Sequence, residues 1–308
     1  MEVTSNSVKV DVKTAPRVRQ NIVRLLILQL RPHQWTKNLL VFAALLFSLH
    51  KVSTDVISKS LFAFLLFCFV SGCVYILNDF VDIKNDRNHP EKQFRPMASG
   101  ALPPALALTF GALLLAGSLF SAFYFDRLFG VVLAVYFVLN VAYSLKLKHV
   151  VILDVMIISA GFVLRAIGGS LMINTPFTPW FLLCTMLLAL FLAISKRRHE
   201  LLLLQADKGT HRKVLDSYSS ELLNQLNTIV TTATIISYSL FTFTSGRTIH
   251  LMWTIPFVIF GIFRYLYLIT ITDKGGSPEK VLVQDKPILI TVVLYAITVA
   301  GIIYTFEF

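Results

Sequence analysis

Long apolar stretches alternate with short polar ones along most of the chain. There are about nine apolar stretches, and each is about 17–25 residues long. They lie near 33–49, 58–77, 103–124, 128–145, 150–171, 178–195, 226–244, 249–271 and 287–305. A helix of this length crosses the hydrocarbon of a bilayer and satisfies its own backbone hydrogen bonds. The pattern therefore predicts an all-α fold, a polytopic membrane bundle of about nine transmembrane helices. Because residues 31–38 are polar, we expect the first stretch to begin near Ile22 and bend at Pro32.

The composition supports a membrane protein. Of the 308 residues, 56% are hydrophobic and only 15% are charged, and the mean hydropathy is +0.71. A soluble domain has about 25% charged residues. Residues 1–20 are polar and basic and lack the apolar core of a signal peptide. We therefore predict a cytoplasmic tail over residues 1–20 and a single transmembrane catalytic domain over residues 21–308.

The basic residues are distributed unevenly between the two sides of the bundle. Most of the 28 Lys and Arg residues lie in the N-terminal tail and in the second, fourth, sixth and eighth loops. The positive-inside rule places these segments in the cytoplasm and Phe308 outside. The net charge of +11 is concentrated at the ends of apolar stretches, where it meets anionic head groups, so nucleic acid is not an expected partner.

Three aspartates follow the second apolar stretch. Asp79, Asp82 and Asp86 are spaced three and four residues apart, which places them within about 60° on one helical face. Like charges at these spacings repel, so a cation is expected between them. Mg²⁺ suits such oxygen ligands, and it fills its other positions with water and phosphate oxygens. The motif predicts magnesium held by the three aspartates, with Asn78 beside them.

Cationic side chains accompany this acidic motif. Arg87, Lys92 and Arg95 follow it closely, so a metal ion and several cations are offered to one polyanionic ligand. Because the motif falls in the second loop, the candidate active site faces the cytoplasm, at the inner membrane of the cell.

A second polar cluster occupies the fourth loop and the fifth stretch. Tyr143 and Lys146 are spaced to share a helical face. Asp154 and Arg165 are separated by about 20° around a helix and about 16 Å along it, so both can face one cavity. For Arg165, a structural buried pair and a substrate contact are equally open.

Two further basic positions lie close to predicted membrane ends. Lys196 and Arg197 directly follow the sixth stretch, where their side chains can reach a phosphate group. Lys37 lies in the polar part of the first stretch. These lysines and arginines are candidate substrate-binding residues. The sequence does not indicate which of them binds the 5-phosphate of a donor and which binds the phosphate of an acceptor.

These motifs resemble the UbiA superfamily of intramembrane prenyltransferases. The resemblance rests on Asn78-Asp79-x-x-Asp82-x-x-x-Asp86, on the number of predicted spans and on the polar cluster ending in Asp154. Residues 31–38, 86–90, 94–96, 164–167 and 196–201 resemble its decaprenyl-phosphate phosphoribosyltransferase branch. The resemblance implies a Mg²⁺-dependent enzyme that transfers 5-phosphoribose from phosphoribosyl pyrophosphate (PRPP) to a decaprenyl-type polyprenyl phosphate, releasing pyrophosphate, for synthesis of a cell-envelope glycan precursor.

The second acidic motif departs from the superfamily pattern. Prenyltransferases of the family usually carry a pair of aspartates four residues apart, but the position that would pair with Asp154 is Ile158. A second metal ion is therefore harder to hold on that side. A sugar pyrophosphate bound by one acidic motif and several cations remains feasible.

Two alternative functions stay open. The first is a UbiA-type aromatic or quinone prenyltransferase, in which the same aspartates bind a prenyl diphosphate. The second is a transporter for an anion, which also suits an intramembrane arginine. The halves of the sequence show no inverted repeat, and a transporter does not need clustered carboxylates. The oligomeric state is also open, with a homo-oligomer among the alternatives.

Overall fold

The computed structural model describes residues 21–46, 52–175, 178–205, 213–271, 281 and 284–307, so the predicted tail over residues 1–20 lies outside it. The α-helices in the described residues are α1 (Ile22–Gln29), α2 (Ala43–Leu46), α3 (Thr54–Val81), α4 (Ile83–Arg87), α5 (Pro104–Phe125), α6 (Arg127–Leu145), α7 (Leu153–Met172), α8 (Pro179–Gln205), α9 (Ser220–Thr244), α10 (Ile255–Ile271) and α11 (Lys286–Phe306). Short 3₁₀ segments cover Pro32–Phe42, Lys92–Phe94, Leu147–His149, Lys213–Ser217 and Ile249–Thr254.

The all-α membrane fold is confirmed. Within the described residues, 8 helices are long and apolar enough to cross a membrane, and they correspond to the second to ninth predicted stretches. The helix α7 lies in the middle of the bundle, since it contacts α3, α6, α8 and the segment Pro32–Phe42. Its neighbours therefore determine where the polar residues at its N-terminal end lie.

Side chains at the starts of several long helices satisfy the free backbone donors there. The side chains of Ser53, Asp126, Ser219 and Asp285 each accept a hydrogen bond from a backbone N–H three residues later. Such a cap stabilises a helix by about 1 kcal/mol. These caps explain why the helices begin where the polar residues precede the apolar runs.

The first predicted stretch begins at Ile22 and bends before Pro32 as expected, but it is not one α-helix on both sides of the bend. The helix α1 begins at Ile22, but the chain leaves it at Arg31, whose backbone is left-handed with φ 53°. A residue that precedes proline is disfavoured in the α region, which explains the break before Pro32. The 3₁₀ segment then lies so close to α7 that a Cβ atom on Gly169 would be 2.0 Å from the Val41 carbonyl oxygen.

The aspartate motif also departs from the expected helical face. The helix α3 ends at Val81, Asp82 caps it with φ −92° and ψ 6°, and the short helix α4 begins at Ile83. The prediction of one continuous face for all three aspartates was therefore wrong. Aspartate is a poor helix former because its side chain competes for nearby backbone groups, and the interruption lies at the middle aspartate.

Candidate active site

Two of the motif aspartates share one arginine. Asp79 is only 3% exposed, and its Oδ1 accepts a hydrogen bond from Nη1 of Arg95 at 3.0 Å. The same Nη1 donates to Oδ2 of Asp86 at 2.6 Å. Asp79 also accepts from Arg31, and its Oδ2 accepts from Nε2 of Gln29 at 2.6 Å. The repulsion between the carboxylates is thus relieved by guanidinium groups in this arrangement.

The end of α1 and the residues just after it supply two of these partners, Gln29 and Arg31. Arg31 lies over the ring of Tyr75 at 4.8 Å, which adds a cation–π contact to its ion pair with Asp79. Burial lowers the pKa of the Arg31 guanidinium, and the charge of Asp79 opposes that shift. Arginine nevertheless stays protonated at neutral pH. Sequence reasoning did not select Gln29 or Arg31 as site residues, although both are polar residues at the end of an apolar run.

The third motif aspartate faces a different loop. Asp82 is partly exposed, and its Oδ2 lies 4.0 Å from Nζ of Lys148. Lys148 was not among the selected residues, whereas Lys146 was. The helix α6 ends at Leu145, so Lys146 does not continue the helical face of Tyr143, and Lys146 is exposed. The structure thus brings Lys148 rather than Lys146 to the aspartate motif.

The other selected residues on neighbouring segments have surroundings of their own. Arg87 is exposed, and its Nε donates to the Ala98 carbonyl oxygen at 3.2 Å. Lys92 is half-buried in the segment Lys92–Phe94, and Lys37 is half-buried in the segment Pro32–Phe42. Asn78 lines a shallow apolar pocket between α3 and α6. Of these positions, Asn78 and Arg87 are the ones that directly flank the motif in the chain.

Asp154 lies in a separate, closed cluster. It is 0% exposed, its Oδ2 accepts from Nε of Arg197 at 2.7 Å, and its Oδ1 accepts from the hydroxyl of Tyr218 at 2.7 Å. Arg197 also pairs with Glu200 and donates to the hydroxyl of Tyr143 at 3.4 Å. The selected residues Asp154, Arg197 and Tyr143 are therefore brought together. The neighbouring Lys196 is half-buried.

Arg165 has a different set of partners. It is 7% exposed, its Nε donates to Oδ1 of Asn38 at 2.7 Å, and its Nη2 donates to the hydroxyl of Tyr136 at 2.7 Å. Its Nη1 donates to the Gly161 carbonyl oxygen at 2.8 Å. The expected single cavity for Asp154 and Arg165 is therefore not supported by their contacts. Through Asn38, Arg165 fixes the segment Pro32–Phe42 against α7.

The donor set at the aspartate motif fits magnesium. Among the residues that the structure describes, no group of three or more His, Cys, Asp or Glu side chains is close enough to hold a metal ion by itself. Mg²⁺ commonly uses one or two carboxylates together with waters and phosphate oxygens. Beside Asp79, the buried Oε1 of Gln29 has no hydrogen-bond partner, so it can accept a hydrogen bond from a metal-bound water. The fit requires a substrate that brings oxygens of its own.

Comparisons with known proteins agree with this description. The sequence profile of the UbiA prenyltransferase family matches residues 39–283. A decaprenyl-phosphate phosphoribosyltransferase of Mycolicibacterium smegmatis is 36% identical over 303 residues, covering 92% of this chain and 94% of the relative. One of Mycobacterium tuberculosis is 32% identical over 297 residues, covering 94% of this chain and 97% of the relative. A UbiA homolog from Archaeoglobus fulgidus, solved with DMAPP and Mg²⁺, has the same fold, with a TM-score of 0.69 and 19% identity over 91% of this chain and 99% of its own.

Proposed function

Because this chain belongs to the UbiA prenyltransferase family, we propose that it transfers 5-phosphoribose from PRPP to a decaprenyl-type polyprenyl phosphate and releases pyrophosphate. The similarity to named phosphoribosyltransferases over most of both chains makes it a transferase of the membrane. The proposal that PRPP is the donor rests on the residues of the site.

The closed surroundings of Asp154 are the observation that carries this choice. Asp154 is 0% exposed, its counter-ion Arg197 is 2% exposed, and Ile158 supplies no second carboxylate. A prenyl diphosphate bridged by metal ions between two acidic motifs would need free carboxylates on this side. A sugar pyrophosphate needs only the Asp79 motif and cations, and that is what the site offers.

The aspartate motif is the proposed pyrophosphate site. Asp79, Asp82 and Asp86 are the residues that would hold magnesium, which when bound supplies positive charge to the pyrophosphate oxygens. Arg95 lies between two of these carboxylates and Lys148 lies beside the third. Arg95 is placed to balance the negative charge that develops on the leaving group. Lys148 is placed to attract the charge that the pyrophosphate already carries when the donor binds.

The transfer itself needs positioning more than proton transfer. The bond from C1 of the ribose to the pyrophosphate oxygen breaks, and a bond forms from C1 to an oxygen of the acceptor phosphate. That oxygen is already ionised near pH 7, so no strong general base is needed. The main contributions are the alignment of the two substrates and electrostatic stabilisation.

The acceptor is proposed to approach from the bilayer. The apolar surface next to Asn78, between α3 and α6, directly precedes the motif in the chain and is the proposed approach for the isoprenoid chain. Lys37, Lys92, Arg87 and Lys196 are candidates for the 5-phosphate or the acceptor phosphate. By the positive-inside rule this site faces the cytoplasm, at the inner membrane.

The proposal is tested with purified protein in liposomes that contain a polyprenyl phosphate. On addition of PRPP and Mg²⁺, we expect one phosphoribosyl lipid, identified by mass, for each pyrophosphate released. Excess EDTA should stop the reaction, and further Mg²⁺ should restore it. Pyrophosphate release without a phosphoribosyl lipid, or full turnover in EDTA, would contradict the proposal.

A further inference from the structure

A strained backbone position precedes α7. Ile152 has φ 70° and ψ −45°, a conformation that β-branched residues rarely adopt. Its side chain is 47% exposed, so packing of that side chain does not hold the turn. Strain of this kind persists only where the surrounding structure fixes it, and it clusters at functional sites.

A tyrosine from a distant loop fixes this turn. The hydroxyl of Tyr218, which follows the segment Lys213–Ser217, accepts a hydrogen bond from the backbone N–H of Ile152 at 2.8 Å. The same hydroxyl donates to Oδ1 of Asp154 at 2.7 Å. Burial raises the pKa of Tyr218 to about 12, so the hydroxyl keeps the proton that it donates.

The turn lies between two parts of the proposed site. Before it, the segment Leu147–His149 carries Lys148 to Asp82. After it, Asp154 begins the first turn of α7. Two backbone hydrogen bonds at Val150 connect these parts: its N–H donates to the Leu147 carbonyl oxygen at 3.1 Å, and its carbonyl oxygen accepts from the Asp154 N–H at 3.1 Å. A change in the turn at Ile152 therefore moves the lysine-bearing segment relative to α7.

We propose that Tyr218 is a positioning residue for donor binding. It holds the strained turn at Ile152 and thereby keeps Lys148 beside the aspartate motif. This inference rests on the proposed function, since the ligand of that motif is taken to be the pyrophosphate of PRPP. Tyr218 itself contacts the turn and Asp154, not the reacting atoms.

The first test removes only the hydroxyl group. Tyr218→Phe should raise KM for PRPP about tenfold and leave kcat within about twofold, because a displaced lysine weakens ground-state and transition-state binding alike. Tyr238→Phe is the matched control, since it removes a buried hydroxyl that is bonded to Thr254 and Tyr295, away from the motif. It should lower the melting temperature and leave KM unchanged. If Tyr218→Phe behaves like this control, its role is only structural and the inference is wrong.

The second test relieves the strain. Glycine adopts positive φ without a steric penalty, so Ile152→Gly should return KM to within about twofold of wild type in the Tyr218→Phe background. No recovery in the double variant would overturn the inference.

Amide hydrogen exchange gives a readout without substrate. The Ile152 amide should exchange at least about tenfold faster in Tyr218→Phe, since its hydrogen-bond acceptor is lost. Equal exchange in the two proteins would overturn the inference whichever donor the enzyme uses. Absence of PRPP transfer by the wild type would instead overturn the proposed function.

Discussion

The two buried aspartate clusters differ in how tightly their counter-ions are enclosed. Asp79 is paired with Arg31 and Arg95, whose side chains are 18% and 24% exposed. Asp154 is paired with Arg197, which is 2% exposed. The partners of Asp79 come from segments outside the long helices, whereas Arg197 belongs to α8.

This difference separates a site that can exchange partners from one that cannot. Arg31 and Arg95 can turn from the carboxylates to a bound pyrophosphate while staying hydrated, and the unpartnered Oε1 of Gln29 can accept a hydrogen bond from a metal-bound water. Arg197 can leave Asp154 only by leaving a buried carboxylate without its counter-ion, which is costly. The first cluster is therefore suited to binding a ligand and the second to holding helices and loops together.

The largest expected effect is on catalysis at the first cluster. Asp79→Asn removes the charge that would hold magnesium, and it should lower kcat at least about a thousandfold. Asp55→Asn is the control, because Asp55 is an exposed aspartate at the other end of α3. Initial rates of phosphoribosyl lipid formation measure both. If Asp79→Asn keeps more than about a tenth of the activity, the first cluster is not the metal site.

The next effect is on stability at the second cluster. Asp154→Asn leaves the buried guanidinium of Arg197 with only Glu200, which is 28% exposed, as a carboxylate partner, and this should cost about 3 kcal/mol. Thermal unfolding in detergent, compared with wild type and Asp79→Asn, measures this loss. The contrast between the clusters fails if Asp154→Asn melts at the wild-type temperature.

A smaller effect is expected on the binding of PRPP when Lys148 is replaced. Lys148→Met should raise KM for PRPP about tenfold, since it removes one cation beside Asp82. Lys84→Met removes the same charge from an exposed position on α4 and should leave KM unchanged. Titrations of initial rate against PRPP compare the two. Equal KM values for both variants would show that Lys148 does not belong to the donor site.

The sequence predicted the long helices well because apolar length alone determines a membrane span. It missed the break at Asp82 and the 3₁₀ segment Pro32–Phe42, which depend on tertiary contacts. Arg165, for example, fixes that segment through Asn38, 127 residues away in the sequence.

The site was predicted only in part, because some of its contacts join residues that are distant in the sequence. The motif aspartates are recognisable from their spacing, but Gln29 and Arg31 reach Asp79 across about fifty residues of chain. Lys148 was missed because the helical spacing from Tyr143 was extended to Lys146, one residue beyond the end of α6. Helix ends cannot be located from periodicity to that precision.

The proposed function requires that one acidic motif serves a sugar pyrophosphate donor. Its most direct test offers labelled PRPP and a labelled prenyl diphosphate, in separate reactions, to liposomes with wild type and with Ile158→Asp, which adds the missing second carboxylate. We expect label to enter lipid only from PRPP in both proteins, with lower activity in Ile158→Asp because it adds an uncompensated charge to a half-buried position. Prenyl transfer that increases in Ile158→Asp, with no transfer from PRPP in either protein, would contradict the proposed function.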